Sequence, residues 1–178
     1  REILSYEEIT ALAEAAVAAG ICRIRLTGGE PLIRNGVVDL CSMLTAINGI
    51  ESLSLTTNGI RLQTLAKPLA MAGVKRINIS LDSLKQNRFA QITGQDRLTE
   101  VLAGIKAAEA AGLTPIKLNT VVMRGINDDE VADLTALTFN KPYHVRFIEL
   151  MPFQHESCGD YNRLYVPIGE IIRKIPGI

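Results

Sequence analysis

Three glycines constrain this chain most. Gly20, Gly73 and Gly112 each follow an amphipathic run and stand just before a short apolar segment. Glycine readily takes the left-handed conformation that ends a helix, so each one marks a change from helix to strand. Ahead of the first, Ser5-Tyr6-Glu7-Glu8 is a capping box, and Ile9, Leu12, Ala13, Ala16 and Val17 share one helical face. Further helical patterns run over about Val37 to Ile47, Leu62 to Ala72, Leu98 to Ala111 and Asp128 to Leu137. Strand-like segments alternate with them: Arg23 to Thr27, Ser52 to Thr56, Arg76 to Leu81, Ile116 to Val122 and Val145 to Leu150. A repeat of roughly 25 to 40 residues predicts parallel strands joined by right-handed helical crossovers. Its five units are too few for the roughly 250-residue closed barrel of eight strands. The expectation is an α/β fold, either a partial TIM-type (β/α) barrel, incomplete as it stands, or an open doubly wound sheet.

Composition narrows the class. The 178 residues are 47% hydrophobic and 21% charged, enough for a buried core and unlike a disordered chain. Nineteen Lys and Arg balance nineteen Asp and Glu. A neutral chain gives no sign of a nucleic-acid-binding or membrane-binding surface, although a basic cluster inside a cleft stays open. Cys22, Cys41 and Cys158 have neither disulfide nor metal-ligand spacing, which points to a reducing compartment. No window approaches the roughly 18 apolar residues of a membrane span. The chain begins at Arg1 without a methionine, so a fragment is expected, with residues 1–153 as one core and 154–178 as a tail bearing a short helix.

In both candidate folds chemistry collects where strands end. Those ends read Thr27-Gly28-Gly29-Glu30-Pro31, Thr56-Thr57-Asn58-Gly59, Ser80-Leu81-Asp82-Ser83, Asn119-Thr120 and Glu149-Leu150-Met151-Pro152. Any one of them could be a plain turn; together, at one mouth, they predict a ligand site. The Gly-Gly pair lets backbone approach a ligand, and Glu30 offers a carboxylate, which suits a zwitterionic amino-acid moiety. The spacing of phosphate-binding glycine loops is absent.

Cations inside apolar strands are the second clue. Arg23 and Arg25 share a face, and Lys117 and Arg146 interrupt two other strands. Each needs a partner, either an acid on a neighbouring strand or an anionic ligand. If Arg25, Lys117 and Arg146 converge, that ligand is a polyphosphate. His144 and His155 lack ligand spacing and carry no assignment. Arg124 to Asp129 reads as a structural loop and helix cap.

These strand ends, together with Ile77-Asn78-Ile79-Ser80-Leu81-Asp82, Asn119 to Asp128 and Arg146 to Pro152, resemble the radical S-adenosylmethionine (SAM) GTP 3′,8-cyclases of molybdenum cofactor biosynthesis, over about Ser5 to Phe153. The resemblance implies the partial barrel. It further implies that Gly29, Ser80 and Met151 contact SAM, with Glu30 supporting its amino group. Arg25, Thr56 and Lys117 would contact GTP, joined by Arg23 and Arg146. The implied chemistry is reductive cleavage of SAM at a [4Fe–4S] cluster, abstraction of the GTP 3′ hydrogen and closure onto guanine C8. The family's cluster cysteines are not matched here, so this chain alone is expected to hold no cluster and to be inactive. The implied setting is the bacterial cytoplasm, or the mitochondrial matrix in a eukaryote. A homodimer and a partner enzyme of the molybdopterin pathway are the partners it leaves room for. Three other readings stay open: another radical SAM maturase, a Schiff-base aldolase using Lys117, and a non-catalytic nucleotide-binding remnant.

Overall fold

The computed structural model describes residues 3–151 and 158–177. Pro152, Phe153 and His155 lie outside them, as does the side chain of Cys158.

Five strands form one parallel sheet in chain order: β1 (Arg23–Leu26), β2 (Ser52–Thr57), β3 (Val74–Ser80), β4 (Ile116–Val122) and β5 (Tyr143–Glu149). Sequential order decides between the two expected folds. A doubly wound sheet reverses its strand order partway and carries helices on both faces, whereas here each strand pairs with the next, as in a barrel segment.

The helices are α1 (Tyr6–Ala18), α2 (Val37–Ala46), α3 (Leu62–Met71), α4 (Gln86–Thr93), α5 (Leu98–Ala110), α6 (Val131–Ala136), α7 (Cys158–Leu164) and α8 (Ile168–Arg173). None among the described residues is long and apolar enough to cross a membrane. The capping box opens α1 as predicted: Glu8 N–H donates to Ser5 Oγ at 3.1 Å, and Ser5 N–H to the Glu8 carboxylate at 2.7 Å. Sequence periodicity misses α4, whose only buried residue is Phe89. The tail forms two short helices where one was expected.

The helix expected from Asp128 begins only at Val131. Side chains hold the preceding turn instead: Asn127 Oδ1 accepts from Met123 N–H, and Asp128 Oδ1 from Gly125 N–H, both at 2.7 Å. The loop is structural, as expected, and it also receives the tail. Arg124 N–H donates to the Leu164 carbonyl at 2.7 Å, and Lys174 pairs with Asp128 at 2.6 Å. Below it, Val122, Val131, Val166 and Ile171 form a small second core.

The main core lies between the sheet and its helices. Leu53 and Leu55 of β2, Ile77 and Ile79 of β3, and Ile116 and Leu118 of β4 are all buried there with Leu44, Leu69, Val101 and Ile105. Each such side chain contributes about 2 kcal/mol of transfer free energy, and successive strand residues alternate between faces. The intervening residues are therefore fixed on the opposite face. There stand Arg23, Arg25, Ser52, Ser54, Thr56, Arg76, Asn78, Ser80, Lys117, Asn119, Val121, His144, Arg146 and Ile148.

Two contacts give testable numbers. A Cβ on Gly104 in α5 would fall 2.3 Å from the Gly59 carbonyl oxygen, whereas one on Gly169 in α8 would meet nothing closer than 4.0 Å. Alanine is favoured over glycine by about 1 kcal/mol inside helices, but overpacking a rigid backbone contact costs about 1–3 kcal/mol. Urea unfolding is expected to show Gly104→Ala destabilising the chain and Gly169→Ala leaving it as stable or more so. Asp129, bonded to Arg88 and Lys85, has its carboxyl lowered to about 2. The depressed value means that its stabilising contribution is present above the ordinary aspartate pKa of about 4 and is lost as pH falls toward 2. Asp129→Asn is expected to flatten stability against pH in that window, measured by thermal unfolding.

Candidate ligand site at the strand ends

The open face of the sheet carries the site. Along its strand positions stand Arg23, Arg25, Arg76, Lys117 and Arg146 and not one Asp or Glu. Arg23 lies 3.8 Å from Glu51, a pair exposed to solvent and worth little. For Arg25, Arg76, Lys117 and Arg146 the described residues provide no ion pair. Of the two alternatives in the sequence, an acid on a neighbouring strand is thus not realised for Arg25, Lys117 and Arg146 among the described residues. Arg76 was not singled out from sequence. Its neighbours Lys75 and Val74 break the alternation, because the β2–β3 register shifts at Leu53/Ser54.

A cavity of about 240 Å³ gathers Arg23, Arg25, Ser54, Arg76, Asn78 and Lys117. Burial, then the positive charges of Arg146, Arg76 and Arg25, hold the Lys117 ammonium below its ordinary value. Asn78 is buried and donates from Nδ2 to Thr56 Oγ1 at 3.2 Å, leaving the Thr56 proton free for another acceptor. One row further on, register aligns Ser80, Asn119 and Arg146. The Asn119 Oδ1 is buried there with no donor, a cost of about 1–3 kcal/mol that a ligand could relieve.

A second cavity, about 160 Å³, opens beyond the strand ends between Asn58, Ile60, Ser80, Asp82, Phe89 and Gln95. Burial pushes the Asp82 carboxyl up, although Val121 N–H donates to its Oδ1 at 2.8 Å. The loop from Ser83 is pinned from below by Glu130, fully buried, which accepts from the Ser83 hydroxyl and from Leu84 N–H, both at 2.8 Å, and from Arg88 at 3.0 Å. Sequence reading missed Glu130; an acid next to Asp128 and Asp129 looks like helix-end charge until the fold brings Ser83 to it.

Gly28 has φ of 149°, open to glycine alone, and a Cβ on Gly28 or Gly29 would meet nothing within 4 Å. Glu30 is engaged by the protein itself. Its Oε1 accepts from Leu32 N–H at 3.0 Å and from the Thr57 hydroxyl at 2.6 Å, while Oε2 accepts from Asn58 N–H at 2.6 Å. The carboxylate thus ties the β1 loop to the end of β2, with one donor on Oε2 and two on Oε1. Met151 stands just past β5, 62% exposed, and lines neither cavity. A cavity of about 660 Å³ lies between α3 and α5 among alanines and Lys67, is lined by no strand residue, and carries no assignment.

If Glu30 serves as this clamp, Glu30→Gln leaves an amide donor facing protein donors and is expected to destabilise the chain by about 1–3 kcal/mol. Unchanged stability in urea unfolding would instead place the carboxylate's role with a ligand.

Comparison with known proteins agrees with this geometry. The profile of the radical SAM superfamily matches residues 1–138. The GTP 3′,8-cyclase of Moorella thermoacetica is 53% identical over 174 residues, which are 98% of this chain and 53% of that protein. That of Pelotomaculum thermopropionicum is 49% identical over the same shares. The chain spans about half the length of the curated relatives it matches. A radical SAM methyltransferase from Sphaerobacter thermophilus superposes with a TM-score of 0.65 at 20% identity, covering 96% of this chain and 55% of that one, a likeness of fold. Sheet order, the open polar face and the profile match lead to one conclusion: the chain belongs to the radical SAM superfamily.

Proposed function

We propose that this chain is the central part of a GTP 3′,8-cyclase of molybdenum cofactor biosynthesis. The observation that carries the reading is the sheet face whose strand positions hold no acid and on which Arg25, Arg76, Lys117 and Arg146 have no acidic partner among the described residues. Clustered cations in a partly desolvated groove favour a polyanion, and the relatives at 49–53% identity are GTP 3′,8-cyclases.

Arg25 and Lys117 bind the phosphates of GTP, and Thr56, its oxygen already engaged by Asn78, donates its proton to the nucleotide. Gly29, Ser80 and Met151 are assigned to SAM. Ser80 lies two residues beyond Asn78 on β3, about 6–7 Å along the strand, so the two ligands meet along the strand direction. The open space over Gly28 and Gly29 and the cavity beside Ser80 fit an amino-acid moiety that backbone groups can grip. When bound, SAM supplies the abstracting radical; the chain's own residues orient the nucleotide ribose toward it.

An iron–sulfur cluster does not fit the described residues, which hold no group of three His, Cys, Asp or Glu able to bind a metal. Cys41 is buried in α2, its thiol pushed up to about 11 by burial. No step is therefore routed through a cluster here.

One observation favours a second reading. Burial and nearby cations favour the neutral amine of Lys117, the direction a Schiff-base nucleophile requires, and Lys117 lines the cationic cavity. Borohydride trapping of a carbonyl substrate on Lys117 would support an aldolase.

Calorimetry on the full-length protein with reconstituted clusters separates the readings. Binding of both SAM and GTP is expected, with Lys117→Met or Arg25→Gln weakening GTP about tenfold, or 1.4 kcal/mol, and leaving SAM unchanged. Binding of SAM without GTP would point to another radical SAM maturase, and binding of neither to a non-catalytic remnant.

A further inference from the structure

We infer that Arg76 is a specificity-determining residue that reads the terminal phosphate of the nucleotide, an inference that rests on the GTP reading above. Its register provides the argument. Arg76 pairs laterally with Ser54, and Ser54 with Arg25, so the two guanidinium-bearing strands flank Ser54 in one row. Strand spacing puts their Cα atoms about 10 Å apart, so an anion seated over Ser54 is within reach of both long side chains. Ser54 itself donates its hydroxyl to the Ile24 carbonyl at 3.3 Å, which leaves the two arginines as the row's donors. Both line the same cavity as Lys117, and neither has an acid partner among the described residues.

Depth along the strands assigns the phosphate. Counted inward from the strand ends, Ser80, Asn119 and Arg146 make one row, Thr56, Asn78 and Lys117 the next, and Arg25, Ser54 and Arg76 the third. Four steps along β3 lead from Ser80 to Arg76, about 13 Å. With the reacting ribose held near Ser80 and the phosphates leading inward past Lys117, Arg76 meets the phosphate farthest from the ribose. A planar guanidinium suits bidentate contact with two oxygens of one terminal phosphate, which a lysine cannot make.

The test measures binding of GTP, GDP and GMP by calorimetry to the full-length protein with reconstituted clusters. The wild type is expected to prefer GTP over GDP by about tenfold, the step typical of one charge-assisted bidentate contact. Arg76→Gln is expected to bring GTP down to the level of GDP while GDP, GMP and SAM keep their affinities. Arg76→Lys, which keeps charge and bulk should the glutamine variant not fold, is expected to retain only about a third of the preference. Lys75→Gln, an exposed neighbour, controls for general loss of positive charge and is expected to leave the ratio intact. Equal weakening of all three nucleotides, or an unchanged GTP to GDP ratio, overturns the role of Arg76 and spares the GTP reading. A wild type that binds SAM but no GTP overturns both.

Discussion

Burial of Leu53, Leu55, Ile77, Ile79, Ile116 and Leu118 against the helices fixes the direction of every other strand residue. A strand has a strict two-residue period, so a slip of one position would move these side chains into water and the arginines into the core. At about 2 kcal/mol for each apolar side chain, that alternative is closed. The charged face is thus a consequence of the core: the same register that packs the helices also aligns Arg25, Arg76, Lys117 and Arg146 along one surface.

Two carboxylates then shape what the sheet presents. Glu30 fastens the Gly28-Gly29 loop to the end of β2, and Glu130 fastens the loop after β3 from the side of β4. Each accepts from three protein donors, which makes them positioning groups. Against them stand the open groups of the sheet face: the buried Asn119 oxygen with no donor, and four cations, Arg25, Arg76 and Arg146 exposed and Lys117 half-buried, that have no acidic partner among the described residues. Loops that are over-determined beside a surface left under-determined are what a ligand site requires: rigid walls and groups whose interactions are completed on binding.

Much of this was legible from local patterns. The capping box at Ser5, the helix-ending glycines and the apolar strand segments placed the main elements, and the polar strand ends pointed to the mouth of a barrel. Strand parity alone put Arg23 and Arg25 on one face. The helix α4 was not legible, because it is short and mostly polar, with Phe89 as its one buried residue and Ile92 half-buried a turn later. The late start of α6 was hidden as well, since Asn127 and Asp128 resemble helix caps but spend their side chains on the preceding turn.

The sequence by itself determined the repeat, the α/β class, the positions of Gly29, Ser80 and Thr56 at or near strand ends and of Arg25 and Lys117 within strands, and the absence of a charge bias, since each depends on residues close together in the chain. Only the tertiary structure decided the sheet order, the entry of Arg76 into the cationic row, the capture of Glu30 by Thr57 and Asn58, and the meeting of Glu130 with Ser83. Those depend on the register between strands and on contacts spanning 22 to 47 positions. Such pairings are selected by the packing of the whole core, and no local propensity encodes them.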